Sequence, residues 1–398
     1  MRDIQVLTTV FLLTAASVAH AADTVSSSSQ NDFAASLLLR GGYDTNPEFS
    51  SGNGIGGSAL VGTETALAAG RKTGNATIGV AAEAGTVRYA NPEATPTQRG
   101  KVILRGSLGD DSLKLSSTTT IADVASYNLR SSDLGQALKL EGTVDQFKLF
   151  VTAEGGRSRL NQTNAIFQDF LPSPHQFLRA AIVPGISLVH SKGEVGVSVN
   201  LSARRYHDEL DDFGYRRDNE RMQPFVFAKY SDDSITAFGS ISRLYGKWHD
   251  VDFSDVDRLL FDANVTWRTK PFKIDLLATR RASETTFPIS PITIDTIYFA
   301  KASWTIDPKW TVAASLGYAD TEYLDSPFVA RTLTYGIGVT RDLGDDLTFG
   351  VDLTRAQGTL ISGARADAVI VMTSLTKKFS PLAKVAELPT PLHGAMAR

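Results

Sequence analysis

From Leu333 to Arg355 the chain alternates with a period of two. Leu333, Tyr335, Ile337 and Val339 interleave with Thr334, Gly336, Gly338 and Thr340. After the polar run 342–346, Leu347, Phe349, Val351 and Leu353 interleave with Thr348, Gly350, Asp352 and Thr354. Alternate residues of a strand point to opposite faces, so this stretch predicts a hairpin with one apolar face and one face too small and polar to fill a core. Val195, Val197, Val199 and Leu201 repeat the pattern against Gly196, Ser198, Asn200 and Ser202. So do Leu259, Phe261, Ala263, Val265 and Trp267 against Leu260, Asp262, Asn264, Thr266 and Arg268. Phe272, Ile274, Leu276 and Ala278 do the same against Lys273, Asp275, Leu277 and Thr279.

Short polar turns punctuate these segments at 70–75, 109–111, 144–146, 190–194, 231–234, 268–271, 307–309 and 342–346. They recur about every 35–47 residues, the length of two membrane-crossing strands of roughly ten residues with their connections. Longer loops fall between them in strict alternation, including 44–57, 158–175, 206–221 and 283–295. Short turns on one side and long loops on the other is the asymmetry of an outer-membrane barrel; a soluble sandwich has no reason to sort its connections this way. Eight short turns join sixteen strands, and a first strand near 32–43 with a last near 366–379 raises the expectation to about eighteen, sixteen being the alternative. The expected fold is all-β, a transmembrane antiparallel up-and-down β-barrel over residues 32–379, apolar faces to lipid and polar faces to water. An even strand count puts both termini on the short-turn, periplasmic side.

The N-terminus supports export. Arg2 precedes an apolar run, and Ala19-His20-Ala21 has the small residues of a signal-peptidase site, so residues 1–21 read as a signal peptide. Residues 22–31 then form a Ser-rich periplasmic segment and 380–398 a disordered periplasmic tail. No later run reaches the roughly 18 apolar residues of a membrane helix. The chain has no cysteine, which removes disulfides and thiolate chemistry. Its formal net charge of −3, with no strongly basic stretch, argues against nucleic acid as a partner.

Catalytic, metal and cofactor signatures are missing: there is no Gly-x-Ser-x-Gly elbow, His-Glu-x-x-His helix or phosphate-binding Gly-Lys loop. The sharpest enzymatic alternative is a hydrolase at the barrel rim. His207-Asp208 and His249-Asp250 lie in neighbouring long loops within acidic runs, and an Asp–His pair activates water. Solvated loop tips explain the same residues, and no residue is assigned as catalytic.

The inward faces carry more information. Alternation assigns Arg40, Arg105, Arg179, Arg204, Arg268, Lys273 and Arg281 to the pore lining, with Glu64, Glu83, Asp262, Asp275 and Asp352. Lys139, Lys148, Glu141 and Glu154 fall on the same faces. Charges of both signs suit a water-filled lumen, and the basic excess points to an anionic solute. The loop 158–175, with Ile166, Phe167, Phe170 and Leu171, is the segment expected to fold inward. Pro184, inside a strand, predicts a local bulge. Tyr89, Tyr206, Tyr230, Trp248, Trp267, Trp304, Trp310 and Tyr318 fall near strand ends, where interfacial aromatic girdles form.

Two resemblances sharpen the reading. The last strand, ending at Phe379 with Leu375, Thr373, Val371 and Val369 on its face, resembles the C-terminal signal read by the barrel-assembly machinery. It departs from that pattern in the 19 residues that follow. The first hairpin, "LLLRGGYDTNPEF" followed by "GSALVGTETALA", resembles the opening of outer-membrane β-barrel porin families often associated with exopolysaccharide loci. Tyr43, Asp44 and Asn46 carry that motif; local turn bonds and a girdle tyrosine account for them equally. The resemblance implies a porin-like outer-membrane channel for a polar solute, with a link to exopolysaccharide export. A surface-anchoring structural barrel is a further alternative. The implied partners are outer-membrane lipid, the assembly machinery and a polysaccharide or small polar solute.

Overall fold

A computed structural model describes residues 32–51, 56–110, 112–126, 129–162, 171–287 and 289–379. The expected signal peptide, Ser-rich segment and tail lie outside the described residues. Eighteen strands follow one another: β1 (Asp32–Asp44), β2 (Ser58–Thr73), β3 (Ala76–Tyr89), β4 (Thr97–Gly109) and β5 (Leu113–Ala125). Next come β6 (Leu129–Val144), β7 (Phe147–Gln162), β8 (His175–His190), β9 (Gly193–Tyr206) and β10 (Asn219–Ser231). Then β11 (Ile235–Trp248), β12 (Val256–Thr269), β13 (Phe272–Glu284) and β14 (Ile292–Asp307). The last are β15 (Trp310–Tyr323), β16 (Val329–Gly344), β17 (Leu347–Thr359) and β18 (Arg365–Phe379). Each pairs antiparallel with its neighbours in sequence, and β1 pairs with β18 from Ala35↔Phe379 to Asp44↔Ile370. The sheet therefore closes with eighteen strands, not sixteen, and Phe379 is a seam residue.

The short turns are set by local chemistry. Asp232 Oδ1 accepts the amides of Ser234 and Ile235 at 2.9 and 2.7 Å, and Asp307 Oδ1 accepts those of Lys309 and Trp310 at 2.7 and 2.9 Å. Such bonds to the backbone two or three residues on reverse the chain without help from the rest of the fold. The Tyr230 hydroxyl, then these amides, hold the Asp232 carboxyl below the usual carboxylate range. Gly74 (φ 57°), Asp345 (φ 51°) and Asp346 (φ 57°) supply the left-handed backbone of two other turns.

Large exposed apolar side chains fall on a single alternation set: Val195, Val197 and Leu201 on β9, Leu259 and Trp267 on β12, Ile337 and Val339 on β16. That set faces out, and its partners line the interior. The few outward polar groups satisfy one another, as where the Gln136 amide donates to Ser117 Oγ at 2.9 Å and its carbonyl accepts Thr119. No bulge forms at Pro184: the β8–β9 register is unchanged from Ile182↔Leu201 to Gly185↔Ser198. The ring faces outward and its carbonyl accepts the Ser198 hydroxyl at 2.6 Å, so the missing donor costs rungs and leaves the register intact. Three expected girdle aromatics also turn out otherwise. Tyr89, Tyr206 and Trp248 pair in register with Leu60, Phe177 and Asn219 on the inner face, whereas Tyr230, Trp267, Trp304, Trp310 and Tyr318 point outward.

The seam offers a direct test. Gly42 lies opposite Met372, and a Cβ there would run into the Val371 carbonyl and the Met372 Cα of β18. Gly42→Val is expected to cut the yield of closed barrel several-fold, read as the fraction with heat-modifiable gel mobility. Substitution at Gly106, where a Cβ meets nothing, leaves that fraction unchanged.

Candidate functional site

The ladder between β12 and β13 stops short of its loop-side end. β12 and β13 pair only from Thr269↔Phe272 to Phe261↔Arg280, so the loop-side ends of the two strands separate. Above that point β13, β14 and their connection lie inside the barrel. On β13 and β14 the outward set runs through Phe272, Leu276, Tyr298 and Trp304, and by parity it includes Glu284, Ile292, Ile294 and Thr296. These upper residues meet protein instead of lipid. Ile292 and Ile294 are fully buried in a cluster with Leu244, Trp248, Val256 and Leu260 from the inner faces of β11 and β12. Across the separation, Arg258 on the inner side of β12 reaches Glu322 at 3.7 Å, and Arg280 reaches the same carboxylate at 3.4 Å. A Ser254 amide bond to Asp325 at 3.0 Å joins the neighbouring loops.

The tucked hairpin is held by charge. Glu284 Oε1 accepts Arg204 Nε at 3.0 Å and pairs with Arg221 at 2.7 Å, while Oε2 accepts the Tyr206 hydroxyl at 3.1 Å. Arg221 is fixed in turn by Asn219 Oδ1 at 2.8 Å and by stacking on Trp248. From the loop between β9 and β10, Arg217 enters the hairpin tip. Its Nη1 donates to the carbonyls of Ser290 (3.1 Å) and Thr285 (3.4 Å), its Nη2 to that of Phe287 (3.0 Å), and its Nε to Asp211 at 2.7 Å. Phe287 stacks against Tyr323 and Phe328 beside Ile361, and Thr286 donates to Gln162 Oε1 at 3.1 Å, so the tip touches several sides of the wall. A planar five-donor guanidinium matches such a set of carbonyls in a way that lysine does not.

By sequence, the segment expected to fold inward is 158–175. Of 158–175, residues 163–170 lie outside the described residues, while 281–287 and 289–296 are seen inside. A signal existed in the sequence: Arg280 and Glu284 fall on the outward set of β13, where a lipid-facing charge is costly. That conflict is relieved when the hairpin leaves the wall.

Register puts all twelve residues assigned to the pore lining on inner-face positions, though in different groups. Glu64 bridges Arg40 and Arg99 at 2.7 Å each. Arg179 reaches Asp133 at 3.1 Å, a carboxylate that also accepts Ser131 and Ser158. Arg281 pairs with Asp262, and Lys273 with Asp275 at 3.4 Å. Lys148 and Lys229 share Glu194 at 3.0 and 3.6 Å. Glu83, Arg105, Asp352 and Arg268 take inner positions on β3, β4, β17 and β12. Alternation missed Arg99, Arg217, Arg221 and Glu284, of which the last three hold the constriction. Asp44 and Asn46 build a turn: Asp44 Oδ1 accepts the Asn46 amide at 3.0 Å, and Asn46 Nδ2 donates to Ser50 O at 2.8 Å. Tyr43 is outward and exposed.

The two rim histidines have different surroundings. His249 Nε2 lies 3.1 Å from Glu220, which also binds Arg205 on the outer wall, and Asp250 accepts the Arg216 amide. No hydrogen bond joins His207 to His249 among the described residues. Nor does any group of three or more His, Asp or Glu side chains among them have an arrangement fit for a metal ion.

Fold and site together define a membrane-spanning β-barrel narrowed from within. No family model and no curated protein matches the chain. Solved structures similar to it include the Pseudomonas aeruginosa outer-membrane proteins OpdK (10% identity over 87% of this chain and 99% of that one, TM-score 0.45) and OccK2, crystallised with glucuronate (10%, 89% and 99%, 0.48). A BenF-like porin from Pseudomonas fluorescens is similar at 10% identity, 88% and 99% coverage and a TM-score of 0.46.

Glu284→Ala leaves buried Arg221 and part-buried Arg204 facing each other without their shared carboxylate, a loss that costs about 3–5 kcal/mol where the ions stay desolvated. The expected result is a marked rise in amide exchange over 281–296 with exchange in β5 and β6 unchanged, measured by mass spectrometry.

Proposed function

We propose that the protein is a porin-like channel in an outer membrane, its long-loop rim outside, passing small polar solutes with a preference for anions. The observation that carries this is the inner surface: eighteen strands leave room for an aqueous lumen. That lumen presents Arg179 beside Asp133 and Arg204 beside Glu284, the arginine being the more exposed partner of each pair. Cations in excess at a narrow passage concentrate anions there. The hairpin also favours a small solute over an exopolysaccharide chain, because a polymer of that width would have to displace 281–296. The glucuronate bound to OccK2 is a small carboxylate of the class such a passage suits. Passage is favoured over rim hydrolysis because the polar inner surface is its own feature, while His249 and Glu220 lie on the outside of the wall.

Single-channel recording of refolded protein in a planar bilayer with a KCl gradient tests this reading. Stepwise conductance with an anion-directed reversal potential is expected, and a folded but silent barrel would refute it. Arg179→Ala is expected to shift the reversal potential toward cations. Deleting 286–290 is expected to raise unit conductance several-fold.

A further inference from the structure

The outer surface has two unlike edges. On the short-turn edge it is aromatic: Trp267, Phe272, Trp304, Trp310 and Phe379 point outward, with Phe272 stacked on Trp304. On the long-loop edge it is ionic, and the same device recurs. An outward arginine pairs with an outward carboxylate across a hairpin just below its loop: Arg130–Asp123 on β5–β6 and Arg205–Glu220 on β9–β10. The others are Arg243–Asp257 on β11–β12, Arg331–Asp320 on β15–β16 and Arg355–Asp367 on β17–β18. Their side chains are 30–59% exposed, which hydrocarbon would not tolerate. Ten residues separate Asp257 from Trp267 on β12, and Trp310 from Asp320 on β15. At about 3.3 Å per residue and a tilt near 40°, that is roughly 25 Å, the height of a barrel's apolar band. The ionic pairs therefore mark the headgroup level of the loop-side leaflet.

Directly beneath two of these pairs the wall is hollowed. A groove of about 860 Å³ lies on the outside of β8–β12, floored by Ala180, Ile182, Leu201, Ala203, Met222 and Tyr245, with Glu220, Lys247 and Asp257 at its head. Register makes all of these outward, and the row Gly155, Ala180, Ala203 is where the wall recedes. Among the described residues Lys247 has no ion-pair partner. Arg205 and Arg243 are half-exposed and spend only part of their five donors on their carboxylates.

We infer that this groove binds an acyl chain of a polyphosphorylated lipid in the loop-side leaflet. Arg205 and Lys247 take its phosphate. The lining fits a hydrocarbon chain and the head fits a charged group, in the order in which a lipid presents them. The difference between the two edges points to a leaflet whose headgroups carry more charge than those met by the aromatic edge, where a simple phospholipid interface suits tryptophan. A phosphate also suits a paired arginine better than a second protein surface does, since it adds acceptors without displacing the carboxylate.

Native mass spectrometry of the refolded protein tests the inference, with magnesium and one of three lipids added. These are a diphosphoryl diglucosamine lipid with saturated acyl chains, its dephosphorylated form, and phosphatidylethanolamine. The protein is expected to retain the diphosphoryl lipid at least five-fold over the other two. Ala203→Phe, which fills the groove, and Arg205→Ala/Lys247→Ala, which leaves it open, should each lose that retention while keeping heat-modifiable mobility. If Ala203→Phe does not fold, the double variant decides. Equal retention of the dephosphorylated lipid, or undiminished retention by the variants, overturns the inference. So does an oligomer that Ala203→Phe dissociates and lipid does not, which would make the groove a contact between copies. Channel conductance takes no part in this readout, so either proposal can fail without the other.

Discussion

Every backbone N–H and C=O that crosses hydrocarbon must be bonded within the protein, and the whole structure follows from that demand. A sheet meets it only by closing, and closure here rests on ten residue pairs between β1 and β18, from Ala35↔Phe379 to Asp44↔Ile370. Once the ring is shut, period-two alternation sorts the chain into a lipid side and a water side. Pro184 forgoes a donor without shifting its neighbours, and the register shifts near Thr305 and Asp342 sit beside the short turns.

Among the described residues the departure of β13 from β12 is the one place where neighbouring strands part, and it happens on the water-filled side. Lipid would penalise the loosened strand ends; the lumen supplies partners for them. Ile292 and Ile294 gain a core against Leu244, Val256 and Leu260, and Glu284 gains two arginines and a tyrosine. Removing such a carboxylate is costly because the arginines left behind stay desolvated, so the cluster holds one arrangement of the hairpin in place. Arg217 completes the lock from another loop by binding carbonyls that the hairpin tip cannot pair for itself.

Charge is placed by parity as much as by amount. Inside, it is grouped so that carboxylates are shared: Glu64 by Arg40 and Arg99, Glu194 by Lys148 and Lys229, Glu284 by Arg204 and Arg221. Outside, single arginine–carboxylate pairs are confined to the long-loop edge, where interfacial water screens them. The chain's formal net charge of −3 shows neither pattern, because it sums over faces that only the barrel separates.

The sequence by itself determined the strand count, the sorting of turns and loops, and the inner faces. Each depends on a local rule: alternation places Arg40, Arg204 or Asp352, and an aspartate such as Asp232 or Asp307 turns the chain with its own carboxylate. Local rules end where strands change neighbours. Nothing in the alternation of β13 says that Glu284 meets Arg204 and Arg221, residues 80 and about 63 positions away, rather than lipid. The tuck of the β13–β14 hairpin and the outer groove were decided by the closed ring. They depend on contacts between distant strands whose distance and facing exist only after the sheet has met itself.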